Sequence, residues 1–301
     1  MRNVALLFAF TVPALASTGD AIVACGEEFS IGAPVVLWSD PGGFNAYKAP
    51  PPSEKAGEKA KQTRKRYDLR APELNDKAKL DALREVVDQF VIHYDVAGVS
   101  KTCFKVLNDR GLSVHFMLDL DGTIYQSLDL KERAWHATTS NRRSIGVEIA
   151  SIGAFSPNVV PKNVADWYAT DTDGSTRITV PPRFGELKWR KANFVPRPRR
   201  PEPIFGEIQG QKLRMYDLTP EQYDSLIKLT AGLTTVFPKI KCDYPKDASG
   251  KLIPHKLPDD QLQRYTGVLG HFHVQTNKTD PGPAFDWEYL IREADKLRRK
   301  S

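Results

Sequence analysis

Residues 113–130, SVHFMLDLDGTIYQSLDL, place two short runs of apolar, β-branched and aromatic residues on either side of Asp121-Gly122. An Asp-Gly pair supplies the positive φ that a tight reversal needs, and the flanking residues favour extended backbone, so the stretch predicts a β-hairpin. Working outward, RSIGVEIASIG (143–153) reads as another strand, and KTCFKVLNDRG (101–111) as a short helix stopped by Gly111. Further upstream, DKAKLDALREVVDQFVIHYD (76–95) is a short helical or extended lead-in to a strand FVIH. In that strand Val91 and His93 share one face and Ile92 takes the other.

The second half alternates in the same way. TPEQYDSLIKLTAGLTTVFPKI (219–240) has Thr219 as a cap, Pro220 at the first helical position and Gln222 to complete a capping box. Its apolar stripe is Tyr223, Leu226, Ile227, Leu229, Leu233 and Val236. VLGHFHV (268–274) reads as a short strand, and WEYLIREADKLRR (287–299) as a closing helix. Between Asn158 and Tyr216 the chain is rich in Pro, Arg, Gly and Trp without a period, and is taken as a long insertion decorating the domain. Strands alternating with helices predict a single α/β domain.

The amino terminus is of another kind. MRNVALLFAFTVPALAST has a basic start, a short apolar run and Ala14-Leu15-Ala16 before Ser17, the pattern of a secretory signal over residues 1–16. The run is too short for a membrane span. Residues 17–73 read as an extension containing the Pro/Lys-rich stretch KAPPPSEKAGEKAK, and 74–301 as the domain, with its insertion at 158–216. Export places Cys25, Cys103 and Cys242 in an oxidising setting, where a Cys103–Cys242 bridge and free buried cysteines are both consistent with an odd count. With 43 Lys+Arg against 37 Asp+Glu the net charge is +6, but the basic residues are dispersed and not interleaved with aromatics, which argues against nucleic acid as a partner.

The chemistry gathers in GHFHVQTNKTDPGPAF (270–285), where two histidines, a lysine and an aspartate stand beside a proline-stiffened turn. Read alone, His93 and His271 are structural or hydrogen-bonding histidines. Asp280 follows His271 by nine positions, in a loop able to return its carboxylate to the end of the preceding strand. Two imidazoles and one carboxylate are a competent zinc set that leaves one position for water or substrate. In an extended segment His273 shares a face with His271 and competes with it as ligand. Glu148 is either an edge-strand charge paired with Arg142 or Arg143, or a general base and proton shuttle. Lys278 is either solvated or placed to stabilise a negative tetrahedral oxygen. His115 reads as a strand residue, and His136, beside Trp135, as bordering substrate or as structural. DLDGT lacks the full spacing of a calcium loop and is read as a turn.

Four ordered segments, FVIHYD, SVHFMLDLDGTIYQSLDL, RAWHATTSNRRSIGVEIA and GHFHVQTNKTDPGPAFDW, together resemble the zinc-dependent N-acetylmuramoyl-L-alanine amidase family, related to phage-lysozyme-type amidases and peptidoglycan-recognition proteins. The resemblance spans Phe90 to Trp287, interrupted by the insertion. It implies a mixed central β-sheet flanked by helices, with an exposed zinc groove. It also implies zinc held by His93, His271 and Asp280, a catalytic Glu148, and Lys278 two positions before the third ligand. The implied reaction is cleavage of the amide between the lactyl group of N-acetylmuramic acid and L-alanine, in peptidoglycan or its fragments. The amino-terminal signal places the protein in the periplasm or outside the cell, with envelope attachment, through a lipid-modified Cys25, left open. A non-catalytic peptidoglycan-recognition protein and a zinc peptidase acting elsewhere are the alternatives.

Overall fold

The computed structural model describes residues 19–48, 66–70, 80–159, 161–185, 187 and 189–300. The expected signal and most of the Pro/Lys-rich stretch lie outside the described residues. The described chain opens with a hairpin of β1 (Gly19–Ala24) and β2 (Glu27–Leu37), followed by β3 (Tyr67–Leu69), α1 (Leu80–Val86) and β4 (Gln89–Tyr94). Helix α2 (Ser100–Asp109) leads to β5 (Phe116–Leu118) and β6 (Ile124–Gln126), which form the hairpin predicted around Asp121-Gly122, with Gly122 at φ 83°. Strand β7 (Glu132–Ala134) pairs with β3, and β8 (Ser144–Ile149) follows.

After α3 (Lys162–Ala165) come two hairpins, β9 (Tyr168–Thr170) with β10 (Thr176–Ile178), and β11 (Ile204–Ile208) with β12 (Gln211–Met215). The last elements are α4 (Pro220–Val236), α5 (Asp259–Arg264), β13 (Gly267–Gly270), α6 (His271–Val274) and α7 (Trp287–Arg298).

Seven strands make one sheet in the order β1-β2-β6-β5-β8-β4-β13. β5, β8, β4 and β13 run parallel, β6 antiparallel to β5, and β1 antiparallel to β2. This is the mixed α/β sheet that was expected. Its parallel centre is covered on both faces, so β4 is buried nearly throughout, around the apolar run Phe90 to Ile92. Phe90 and Ile92 pack with α4 and α7 in the main core, while Val91 faces a smaller cluster with Ala137, Leu257, Leu269 and Val274. His93 leaves on the Val91 face, at the carboxyl end of the strand.

Helix α4 forms as its sequence dictates. Thr219 Oγ1 accepts the Gln222 N–H and Gln222 Oε1 accepts the Thr219 N–H, both at 3.0 Å. Such a cap contributes about 1 kcal/mol, and all six residues of the predicted stripe are buried.

Two expectations need correction. The fold extends well before residue 74, because β1 and β2 belong to the central sheet and bury Ile22, Ala24, Ala33 and Val35 in the main core. What closes that hairpin is Cys25-Gly26, both at positive φ, whose N–H groups donate to the Asp129 carboxylate at 2.8 Å. Strand β13 ends at Gly270, and HFHV is a helical turn instead of a continued strand. Of the two arrangements open for the cysteines, the free one is present, with Cys103 buried beside Leu107, Val114 and Met117. Among the described residues no helix is long and apolar enough to cross a membrane.

Candidate metal centre

The carboxyl ends of parallel strands are where open α/β sheets build sites, and β4, β8 and β13 end side by side here. His93 is the penultimate residue of β4 and 1% exposed. Gly270, the last residue of β13, is in register with Ile92, so the chain turns into α6 immediately beside His93 and delivers His271 there. Asp280 returns through a turn in which the Gly282 N–H donates to the Thr279 carbonyl at 2.9 Å, and its own carbonyl accepts the Phe272 N–H at 3.2 Å. A side chain on Gly270 would lie 2.7 Å from Pro281 Cδ, so only glycine lets the loop close down.

The three side chains meet at a point. His93 Nδ1 lies 2.9 Å from His271 Nδ1 and 3.0 Å from Asp280 Oδ2, and His271 Nδ1 lies 2.9 Å from the same oxygen. Among the described residues this is the group of histidine, cysteine and acidic side chains able to hold a metal ion.

Hydrogen bonds behind the ligands fix which nitrogens face inward. His271 Nε2 is 2.6 Å from Gln275 Oε1, which only accepts, so the proton sits on Nε2 and Nδ1 presents a lone pair to the centre. With His93 Nδ1 likewise a donor atom, its Nε2–H donates to His136 Nδ1 at 3.0 Å, and His136 Nε2–H donates to Ser144 Oγ at 3.2 Å. Both ring N–H groups of this chain have an acceptor. Metal-ligating imidazoles are typically held through their second nitrogen in this way.

Protonation states agree with a ligand role. Burial, then the neighbouring His271, pushes His93 down to about 4, so it is neutral at pH 7. Burial by itself would raise Asp280, but the imidazoles of His271 and His93 overturn that and hold its carboxyl well below the usual range. Two imidazoles and one carboxylate, the three side chains of this cluster among the described residues, are a donor set able to hold a metal ion and consistent with zinc.

His273 is excluded as a ligand. A helical turn rotates it some 200° from His271, and both its nitrogens are committed, Nδ1 accepting the Gly270 N–H at 2.9 Å and Nε2 donating to the Ile253 carbonyl at 2.8 Å. Glu148 stands in register with His93 on β8, so the two side chains leave the same face one strand apart. It is half-buried, and burial together with Asp280 and Asp95 raises its carboxyl well above the ordinary value. Its suggested partner Arg143 is engaged elsewhere, donating to both Asp88 oxygens. The Lys278 ammonium acts on Glu148 and His93, lowering both.

The sequence profile described as N-acetylmuramoyl-L-alanine amidase matches residues 83–283. The chain belongs to this family. The matched stretch contains the three residues able to hold a metal ion, Glu148 and Lys278. Among solved structures, the amidase is similar to a selenomethionine derivative of AmpD, with 19% identity over 76% of this chain and 89% of that one, at a TM-score of 0.37. It is also similar to the Escherichia coli N-acetylmuramyl-L-alanine amidase AmiD, in complex with anhydro-N-acetylmuramic acid-L-Ala-D-γ-Glu-L-Lys, with 17% identity over 69% of this chain and 57% of that one, at a TM-score of 0.38. A third likeness is AmpDh3 from Pseudomonas aeruginosa in complex with an anhydromuramic pentapeptide, with 17% identity over 69% and 59% of the two chains, at 0.38. No curated protein sequence matches significantly.

Two parts of the amidase site escaped the sequence reading. The sequence is consistent with a substrate-bordering or a structural His136, and the structure makes it the support of His93, 43 residues away. It fits because Gly146 leaves room, a Cβ there lying 2.5 Å from the imidazole. Gln275 was not singled out. Its signal was the spacing of four from His271, which becomes a shared face once the segment is helical.

Proposed function

We propose that this amidase is a zinc enzyme that hydrolyses the amide between the lactyl carbonyl of N-acetylmuramic acid and L-alanine, in peptidoglycan or its soluble fragments. The observation that carries the reading is the convergence of His93 Nδ1, His271 Nδ1 and Asp280 Oδ2 within 3.0 Å of one another, each imidazole backed by a hydrogen bond on its other nitrogen.

Zinc held there would polarise the amide carbonyl and ease ionisation of water. The chain supplies the rest. Glu148, held at a raised pKa on the same face as His93, takes the proton of the attacking water and hands it to the departing L-alanine nitrogen. The Lys278 ammonium offsets negative charge on the tetrahedral oxygen as it develops. The chain from His136 to Ser144 holds the His93 ring so that its Nδ1 stays aimed at the centre.

Chelation followed by addition of zinc is the test. Cleavage of a defined N-acetylmuramoyl-L-alanyl peptide should vanish with the metal and return with zinc. Full activity in protein shown by elemental analysis to be metal-free contradicts the reading, and zinc-loaded protein that binds the peptide without cleaving it would favour a recognition role.

We also propose export, resting on the basic, apolar and small-residue pattern of residues 1–16. Amino-terminal sequencing of the mature protein should begin at Ser17. A mature protein that still begins at Met1 contradicts export, and a start at Cys25 would indicate a lipid-modified amino terminus.

A further inference from the structure

The two-residue loop closing β11–β12 is Gln209-Gly210, with φ of 55° and 72°. Turns with both central residues at positive φ favour Asn, Asp and Gly, and a glutamine is poorly suited to the first position. The Gln209 side chain compensates by what it binds. Its Nε2 donates to the carbonyls of Phe272 at 2.8 Å and Gln275 at 2.9 Å, and its Oε1 accepts the Lys256 N–H at 3.2 Å. Its own N–H donates to the Pro254 carbonyl at 2.9 Å.

Phe272 belongs to the helical turn that begins at the metal-facing His271, and Gln275 is the residue whose side chain holds the His271 ring. A four-residue turn has too few internal hydrogen bonds to be stable alone. The same hairpin leans on the other ligand loop. A Cβ on Gly206 would lie 2.8 Å from Pro283 Cβ, and one on Gly282 would lie 2.5 Å from Met215 Sδ. The long insertion therefore touches both sides of the segment that carries His271 and Asp280.

We propose that the β11–β12 hairpin is a brace for this ligand segment, and that Gln209 is the positioning residue that fixes His271 through Gln275. The inference rests on the metal-centre reading above.

Gln209→Gly separates positioning from general stability, because it removes the clamp while easing the turn. In the metal-free variant, hydrogen exchange in peptides covering residues 271–280 should accelerate while exchange elsewhere and the Tm hold. Zinc affinity should fall about tenfold, the scale on which metal sites respond to loss of a ligand's supporting partner. Gln209→Asn, whose side chain suits the turn but is one methylene shorter, should behave in the same way. Unchanged exchange at 271–280, or unchanged zinc affinity in a variant whose exchange has risen, overturns the proposal, as does a Tm loss with exchange rising throughout the chain. Should wild-type protein bind no zinc, the metal-centre reading fails, while exchange in metal-free protein still decides whether the hairpin braces this segment.

Discussion

His136 Nδ1 lies 3.0 Å from His93 Nε2, on the side of the His93 ring away from Asp280. His136 in turn lies on Gly146 and reaches Ser144, so a residue from the loop before β8 sets the orientation of His93 on β4. Replacing His136 with Ala leaves the three ligands in place but frees the His93 ring. Zinc affinity should fall about tenfold to a hundredfold, measured by competition with a chromophoric chelator. An affinity within twofold of wild type would show that the His93–His136 contact does not support the centre.

Glu148 is expected to act on protons without holding the metal. In Glu148→Gln, zinc content and Tm should match wild type while turnover falls at least about a hundredfold, the usual minimum for losing a positioned acid–base group. Undiminished turnover in a folded, zinc-loaded variant would remove Glu148 from the mechanism.

His271 and His273 separate ligand from scaffold. His271→Ala should abolish stoichiometric zinc binding. His273→Ala should keep zinc but lose roughly 2–4 kcal/mol of stability, since it empties a buried site and strips the Gly270 N–H and Ile253 carbonyl of their partners. Equilibrium dialysis and urea unfolding check the two together, and the reverse ranking in zinc content would mean that the ligand was misassigned.

How legible this was depends on the range of the interactions. The capping box at Thr219 and the turn at Gly122 are set within four residues, and both stand where their sequence puts them. The helical turn at His271–Val274 was misread because HFHV has strand-like composition. What makes it helical is tertiary, with the His273 ring capping Gly270 and Gln209 holding the carbonyls. The β1–β2 hairpin was missed because the Pro/Lys-rich stretch that follows suggested that the fold starts beyond it. Its core contacts are with β6 and α4, remote in the chain. His93, His271 and Asp280, which converge in the structure, could be named from four ordered motifs, whereas the contact of His136 with His93 exists only in the folded chain.

Acid should expose the buried His115. Burial, reinforced by the Arg70 guanidinium, pushes its imidazole from 6.5 down to about 3 in the folded protein. Below pH 6.5 the unfolded chain therefore gains a proton that the folded chain refuses, and stability falls with falling pH by about 1.4 kcal/mol per unit. His115→Gln removes that linkage. Between pH 6.5 and 5.0, metal-free wild type should lose roughly 2 kcal/mol more stability than the variant. Comparing the two cancels the opposing contribution of raised carboxylates such as Asp95 and Asp119. Urea-unfolding profiles that stay parallel across this range would contradict a buried neutral His115.

The central claim is water attack on the lactyl carbonyl at the centre formed by His93, His271 and Asp280. Cleavage of an N-acetylmuramoyl-L-alanyl peptide in ¹⁸O-water by zinc-loaded protein, read by mass spectrometry, tests it most directly. The account predicts one ¹⁸O in the new lactyl carboxylate of the muramic acid and an unlabelled peptide with a free L-alanine amine. Label in a peptide carboxylate, or an intact muramoyl-alanine bond, would contradict it.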